Sequence, residues 1–164
     1  MKVINLHERV LDGSVEQVGR LIDRLSSADD PLWPIDRWPP MRFDRSLGVG
    51  AAGGHGPIRY RVESYEPGRK IQFRFTKPDG FDGVHRFETE PAGEGMTILR
   101  HVIDMQTAGF RATLTWAIIR PLHDALLEDA LDRAERFLGK QIPQRRLSLW
   151  VKFVRRILRR KRRG

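Results

Sequence analysis

The sequence predicts an α+β fold: an antiparallel β-meander, then a helix, then a basic amphipathic tail. Three observations predict it. Four runs of strand length fall between residues 58 and 106, with Gly-, Pro- and acid-containing turns between them. Residues 125–138 are rich in Ala, Leu, Glu and Asp, the composition of a helix. Residues 140–164 hold 11 of the 30 basic side chains and no acidic one, which leaves 19 basic and 21 acidic groups in residues 1–139, a net of −2. The basic character therefore belongs to the tail, and the body shows no electrostatic footprint for nucleic acid. The 164 residues fit one domain with an appendage. With 40% hydrophobic and 31% charged residues, the chain is neither disordered nor membrane-spanning. The absence of cysteine removes disulfides, thiolate metal sites and cysteine nucleophiles together.

Taken in order, residues 2–10 (KVINLHERV) alternate as an edge strand, which Asp12-Gly13 ends. Ser14 and Gln17 form a capping-box pair, and Val15, Val18, Leu21, Ile22 and Leu25 recur at helical spacing, so a helix covers about 14–26. Residues 29–41 carry four prolines and two tryptophans, which excludes a long helix. This segment is read as a lid that lays Trp33 and Trp38 on apolar surface, or as a pocket rim. Residues 48–57 hold five of the 15 glycines. No Gly-Lys-Ser/Thr follows, so this is not a phosphate loop, and a tight turn at a sheet edge is the simpler reading.

The meander strands are read at 58–65, 70–77, 83–90 and 96–106. Alternation assigns their faces. Ile58, Tyr60, Val62 and Ser64 share the inner face of the first; Ile71, Phe73 and Phe75 that of the second; His85, Phe87 and Thr89 that of the third; Leu99, His101, Ile103 and Met105 that of the fourth. Two histidines therefore point inward. A three-residue turn at 92–94 pairs His85 directly with His101, and a five-residue turn makes them diagonal neighbours.

Residues 110–118 are ambiguous. Phe110, Ala112, Leu114, Trp116 and Ile118 alternate like a strand, yet Ala112, Trp116, Ile119, His123, Leu126 and Ala130 also form one helical stripe. Pro121 either opens a helix or kinks a longer one. Asp124, Glu128, Asp129 and Asp132 are read as a solvated helix face. Gly139 and Pro143 interrupt the helix.

The order of elements resembles the helix-grip fold of the START/Bet v 1-like superfamily (SRPBCC), in its polyketide cyclase/dehydrase-like branch. The resemblance rests on Gly50–Gly56 before the first meander strand, on the turn Tyr65-Glu66-Pro67-Gly68-Arg69, and on a final strand followed by a helix with a mid-helix proline. It covers residues 2–139. It implies a curved antiparallel sheet wrapped around a long C-terminal helix with a cavity between them, and it favours one kinked helix from about residue 110. It implies a ligand-binding domain over 1–139 and places the basic amphipathic tail, 140–164, outside it.

The expected function is binding of a hydrophobic small molecule or lipid. Trp33, Trp38, Tyr60, Phe73, Phe75, His85, Phe87, His101, Met105, Trp116 and His123 are the candidate ligand-binding residues. The alternative is a polyketide cyclase/dehydratase-like enzyme, with His85 and His101 as acid/base candidates. A filled core without a cavity would point instead to a partner-binding protein. No cofactor and no metal are expected, because the histidines have no metal-motif spacing. In the tail, Leu147, Leu149, Trp150, Val151, Phe153, Val154, Ile157 and Leu158 fill an apolar arc, with Lys152, Arg155, Arg156, Arg159 and Arg160 opposite. Trp150, Lys152, Phe153, Arg155, Arg156, Arg159 and Arg160 are the candidate membrane-surface residues. An anionic membrane surface is one expected partner; docking on the domain itself, or on a second copy in a homodimer, is the other. A nucleic-acid partner is not expected. The expected location is the cytoplasm, with peripheral membrane attachment as an option.

Overall fold

The computed structural model describes residues 1–160, with side chains to Arg156. Residues 161–164 of the expected tail lie outside the described residues. So do the side chains of Ile157, Leu158, Arg159 and Arg160.

Strand β1 (Lys2–Asp12) leads into helix α1 (Val15–Asp23). The Ser14 hydroxyl accepts from the Gln17 N–H, and the Gln17 side chain accepts from the Ser14 N–H at 2.8 Å, so the expected capping box forms. The helix ends near Asp23, earlier than residue 26, because Ser26 turns to a positive φ of 64°. Residues 24–41 contain no long helix or strand. Two short strands follow, β2 (Arg42–Phe43) and β3 (Ala52–His55). The meander is β4 (Ile58–Glu66), β5 (Lys70–Lys77), β6 (Phe81–Gly93) and β7 (Met96–Thr107). Helix α2 (Gly109–Phe137) runs as one helix with Pro121 inside it, and helix α3 (Leu149–Arg160) closes the chain. Among the described residues no helix is long and apolar enough to cross a membrane.

The seven strands form one antiparallel sheet in the order β1-β7-β6-β5-β4-β3-β2. β1 is an edge strand, and α1 with the Pro-rich bridge carries the chain to the opposite edge. β2 and β3 are additions to the expected set. Their glycines conceal them, since a Cβ on Gly53 would lie 2.0 Å from the Arg42 carbonyl oxygen. Only glycine permits that approach.

The turn that carried the family resemblance has a packing role. Asp23 at the end of α1 accepts from the Tyr65 hydroxyl and from the Gly68 N–H, both at 2.8 Å. Gly19 lies directly over this turn, where an added Cβ would fall 2.1 Å from the Gly68 carbonyl oxygen. A register shift between Val62 and Ser64 in β4 puts Tyr65 opposite Ile71 and Ser64 opposite Gln72. Ser64 therefore leaves the inner face that simple alternation gave it, and Tyr65 takes its place against the core.

The core forms two clusters. The larger joins α1, the middle strands and the second half of α2, around Leu21, Trp33, Tyr60, Phe73, Phe87 and Leu131. The smaller joins Val3, Phe81, Ile103, Met105, Ala112 and Trp116 at the start of α2. Phe75 packs against both.

Candidate functional site: a histidine-lined cavity

A cavity of about 920 Å³ opens between the sheet, the Pro-rich bridge and α2. Both core clusters contribute to its wall: Phe81, Ile103 and Trp116 from one, Trp33, Trp38, Leu122 and Leu126 from the other. Exposed Ile35, Arg42 and Arg59 stand at its rim. Among the candidate ligand-binding residues, Trp33, Trp38, Phe75, His85, His101, Trp116 and His123 lie on the wall. Tyr60, Phe73, Phe87 and Met105 do not; they are at most 1% exposed and fill the core beside it. His55 also lines the cavity, at 4.8 Å between ring centroids from Trp33. It was missed because its strand is hidden among glycines.

β6 and β7 pair His85 with Ile103 and Phe87 with His101, so the two histidines are diagonal neighbours rather than a direct pair. The bulge near Pro91 sets this register. They still meet, with His85 Nδ1 3.3 Å from His101 Nε2. Ring centroids then run from His101 to His123 at 5.1 Å and from His123 to His7 at 5.9 Å. A row of four imidazoles thus leads from β6 and β7 through α2 to the edge strand β1. With His55, all five histidines of the sequence gather here.

Burial sets the charge of this row. It lowers the pKa of His85 and His101 well below the ordinary imidazole value, and neighbouring histidines push the same way. Burial, helped by His123 and Arg59, takes His55 down to about 3. For His123 burial also prevails, against the opposing pull of Asp124. These four imidazoles are neutral at pH 7. His7 behaves differently. Burial lowers its pKa, but Asp124 and Glu128 outweigh that and the net shift is upward. Among the described residues, no group hydrogen-bonds to His85 Nε2 or His101 Nδ1, both buried, and His123 Nδ1 has only Asp124 Oδ1 near it, at 3.8 Å. Buried polar atoms without a hydrogen bond are costly, so their concentration at a cavity is a functional signal.

The expected solvated face of Asp124, Glu128, Asp129 and Asp132 forms only in part: Asp124 and Glu128 are partly exposed, but Asp129 and Asp132 are buried, as is Glu135 one turn on. Asp129 accepts from Trp38 Nε1 at 2.7 Å and from Arg37 at 2.6 Å, which fixes the Pro-rich bridge over the cavity. Asp132 and Glu135 hold Arg9 of β1, and Arg145 and Lys140 reach them from beyond α2. The chain after α2 is thus bound back to the body. Val151 and Val154 of α3 join the larger core cluster, and the Arg155 guanidinium sits 4.5 Å over the Trp38 ring. Docking on the chain's own domain therefore takes part of the tail's apolar arc. Leu149, Trp150 and Phe153 stay exposed, as do Lys152 and Arg156.

An antiparallel sheet gripping one long helix, with a cavity between them, defines a helix-grip protein. That is the helix-grip fold which the sequence resemblance implied. No protein-family model matches the chain, and no curated protein sequence matches it. Solved structures do. Norcoclaurine synthase from Thalictrum flavum, in complex with dopamine and hydroxybenzaldehyde, is similar with a TM-score of 0.61 at 12% identity, over 87% of this chain and 90% of that one. A protein from Thermobifida fusca is similar with a TM-score of 0.61 at 14% identity, over 87% of this chain and 99% of that one. A protein from Micromonospora echinospora has a TM-score of 0.57 at 14% identity, over 96% of this chain and 92% of that one.

Proposed function

We propose that this protein binds a hydrophobic small molecule or lipid in the cavity between sheet and α2. The observation that carries the reading is the cavity itself. Its volume of about 920 Å³ lies within the range of small-molecule sites, and its wall is aromatic and aliphatic with a few converging polar atoms. The buried His85 Nε2 and His101 Nδ1, which have no hydrogen-bond partner among the described residues, would orient a polar group on an otherwise apolar ligand. The similar structure of norcoclaurine synthase, with two aromatic molecules bound, supports the reading by analogy of fold alone. The test is native mass spectrometry of freshly purified protein, with solvent extraction, and titration with anilinonaphthalene sulfonate. A co-purified apolar molecule, or one saturable dye site that Ile103→Trp abolishes, supports the reading. An empty protein without a saturable dye site overturns it.

A second reading is favoured by the His85–His101 pair. Two neutral, hydrogen-bonded imidazoles at a cavity wall suit proton transfer in a cyclisation and dehydration of a poly-keto chain. His85→Ala and His101→Ala should then abolish turnover of a poly-β-keto thioester while dye binding survives; full activity in both rules this out.

The finer part of the proposal concerns location. Exposed Leu149, Trp150 and Phe153, beside Lys152 and Arg156, suit an anionic membrane surface, which complements the tail's charge. Trp150→Ser/Phe153→Ser should weaken co-sedimentation with phosphatidylserine vesicles. Unchanged sedimentation removes the membrane role.

A further inference from the structure

We infer that His7, His123 and Asp124 form a binding site for a zinc-like divalent cation at the seam between β1 and α2. One ligand atom from each residue lies within 4.8 Å of the others. His7 Nε2 is 3.1 Å and His123 Nδ1 3.8 Å from the same oxygen, Asp124 Oδ1. Donors around a tetrahedral zinc ion, with bonds of about 2.0–2.1 Å, stand about 3.3 Å apart. Two of the three spacings, 3.1 and 3.8 Å, already stand near that value. This inference departs from the expectation of no metal, and it is independent of which molecule fills the cavity.

Three features point to an ion rather than to a chance cluster. First, His7 has a carboxylate at each ring nitrogen: Glu128 Oε1 is 3.0 Å from Nδ1, and Asp124 Oδ1 faces Nε2. A neutral imidazole has one N–H. If Glu128 accepts it, the Nε2 lone pair faces a carboxylate oxygen, and a cation must lie between them. A proton would serve for His7 alone. Second, His123 Nδ1 is buried, faces the same oxygen and has no hydrogen-bond partner among the described residues. A proton on His7 does not reach that nitrogen, which stands 3.8 Å from Asp124 Oδ1, whereas one ion shared by all three would engage it. Third, the surrounding contacts have the form of an outer ligand shell. Glu128 orients His7 through Nδ1, and the Asn5 amide donates to Asp124 Oδ1 at 3.0 Å. Glu128 is itself held by Arg9 at 3.0 Å and Arg145 at 3.2 Å.

Two imidazoles and one carboxylate select a borderline ion such as zinc(II) over magnesium or calcium, which prefer all-oxygen sites. Three protein ligands leave further coordination positions for water or another ligand. His123 belongs both to this set and to the cavity wall, so the ion would sit next to the bound molecule.

The test uses the untagged full chain, stripped with a chelator and dialysed, then titrated with zinc chloride by calorimetry and with cobalt chloride by visible absorption. The inference expects one ion per chain with a Kd at or below about 1 µM. It expects His123→Gln and Asp124→Asn to weaken binding at least about 10-fold, and Glu128→Gln to weaken it about 10-fold at unchanged stoichiometry. Circular dichroism confirms folding of each variant. If His123→Gln fails to fold, Asp124→Asn, which conserves shape, carries the test. Overturning results are no saturable binding, binding only at millimolar metal, or tight binding that these substitutions leave unchanged.

Discussion

Replacing Arg9 by Met tests whether the carboxylates of α2 are structural. Arg9 reaches three of them: Glu128 at 3.0 Å, Asp132 at 3.3 Å, and Glu135. The side chains of Asp132 and Glu135 are each 5% exposed, and that of Glu128 is 28% exposed. Removing one partner of a buried ion pair costs about 3–5 kcal/mol, whereas an exposed pair contributes at most about 1 kcal/mol. Arg145 and Lys140 remain to hold Asp132 and Glu135, which places the cost at the lower end, about 3 kcal/mol. At about 2–4 °C per kcal/mol for a chain of this size, the melting temperature should fall by about 6–12 °C at pH 7.

The pH dependence separates this account from a simple packing loss. Burial raises the Glu135 pKa, but Lys140 and Arg9 outweigh it, so the net shift is downward. A depressed carboxylate pKa contributes stability that is present above the unfolded value and lost as pH falls through the folded value. The Arg9→Met deficit should therefore be largest at neutral pH and shrink as pH drops below the ordinary glutamate range. Thermal melts of both proteins between pH 3 and 7 read this directly. In Arg9→Met/Glu135→Gln the loss should be smaller than additive by at least about 1 kcal/mol. A drop under about 2 °C at pH 7, or a deficit that does not change with pH, would refute the reasoning.

Two further outcomes follow from the packing. Gly19→Ala should destabilise the protein by about 1–3 kcal/mol in urea titrations, despite the better helix propensity of alanine, because its Cβ would meet the Gly68 carbonyl oxygen at 2.1 Å; a neutral or stabilising effect would mean that α1 is not seated on the β4–β5 turn. Val151→Asp/Val154→Asp should release α3, since these residues are 3% and 9% exposed and burial of each contributes at most about 1.5–3 kcal/mol. Amide exchange should then quicken across 149–156 and stay slow in the sheet; unchanged protection of α3 would show that something other than these valines holds it.

Much of the fold was legible because it depends on local periodicity. The capping box at Ser14, the strands of β4 to β7 and the helical stripe from Ala112 to Ala130 are written in spacing that the chain itself carries. So were the two inward histidines of β6 and β7. Ala112, Leu114 and Trp116 left strand and helix open, since Phe110, Leu114 and Ile118 are apolar yet exposed on the other side of α2. Only the order of elements decided for the helix.

What the sequence by itself determined about this protein is which residues can alternate, cap and turn, and therefore the α+β order and the inner faces of the meander. What the tertiary structure alone decided is which distant groups meet. β2 and β3 follow from a backbone approach that only glycine allows, and glycine carries no strand signal. Tyr65 replaced Ser64 on the inner face through a bulge that alternation does not register. Asp129 and Asp132 read as surface because a lone carboxylate belongs in water, yet both are buried, with Glu135 beside them. Arg37, Arg9, Arg145 and Lys140, brought from three other stretches of chain, offset the cost of their burial. His7, on an edge strand far in sequence from His123 and Asp124, meets them for the same reason: charge and hydrogen bonding act through space, and spacing along the chain records neither.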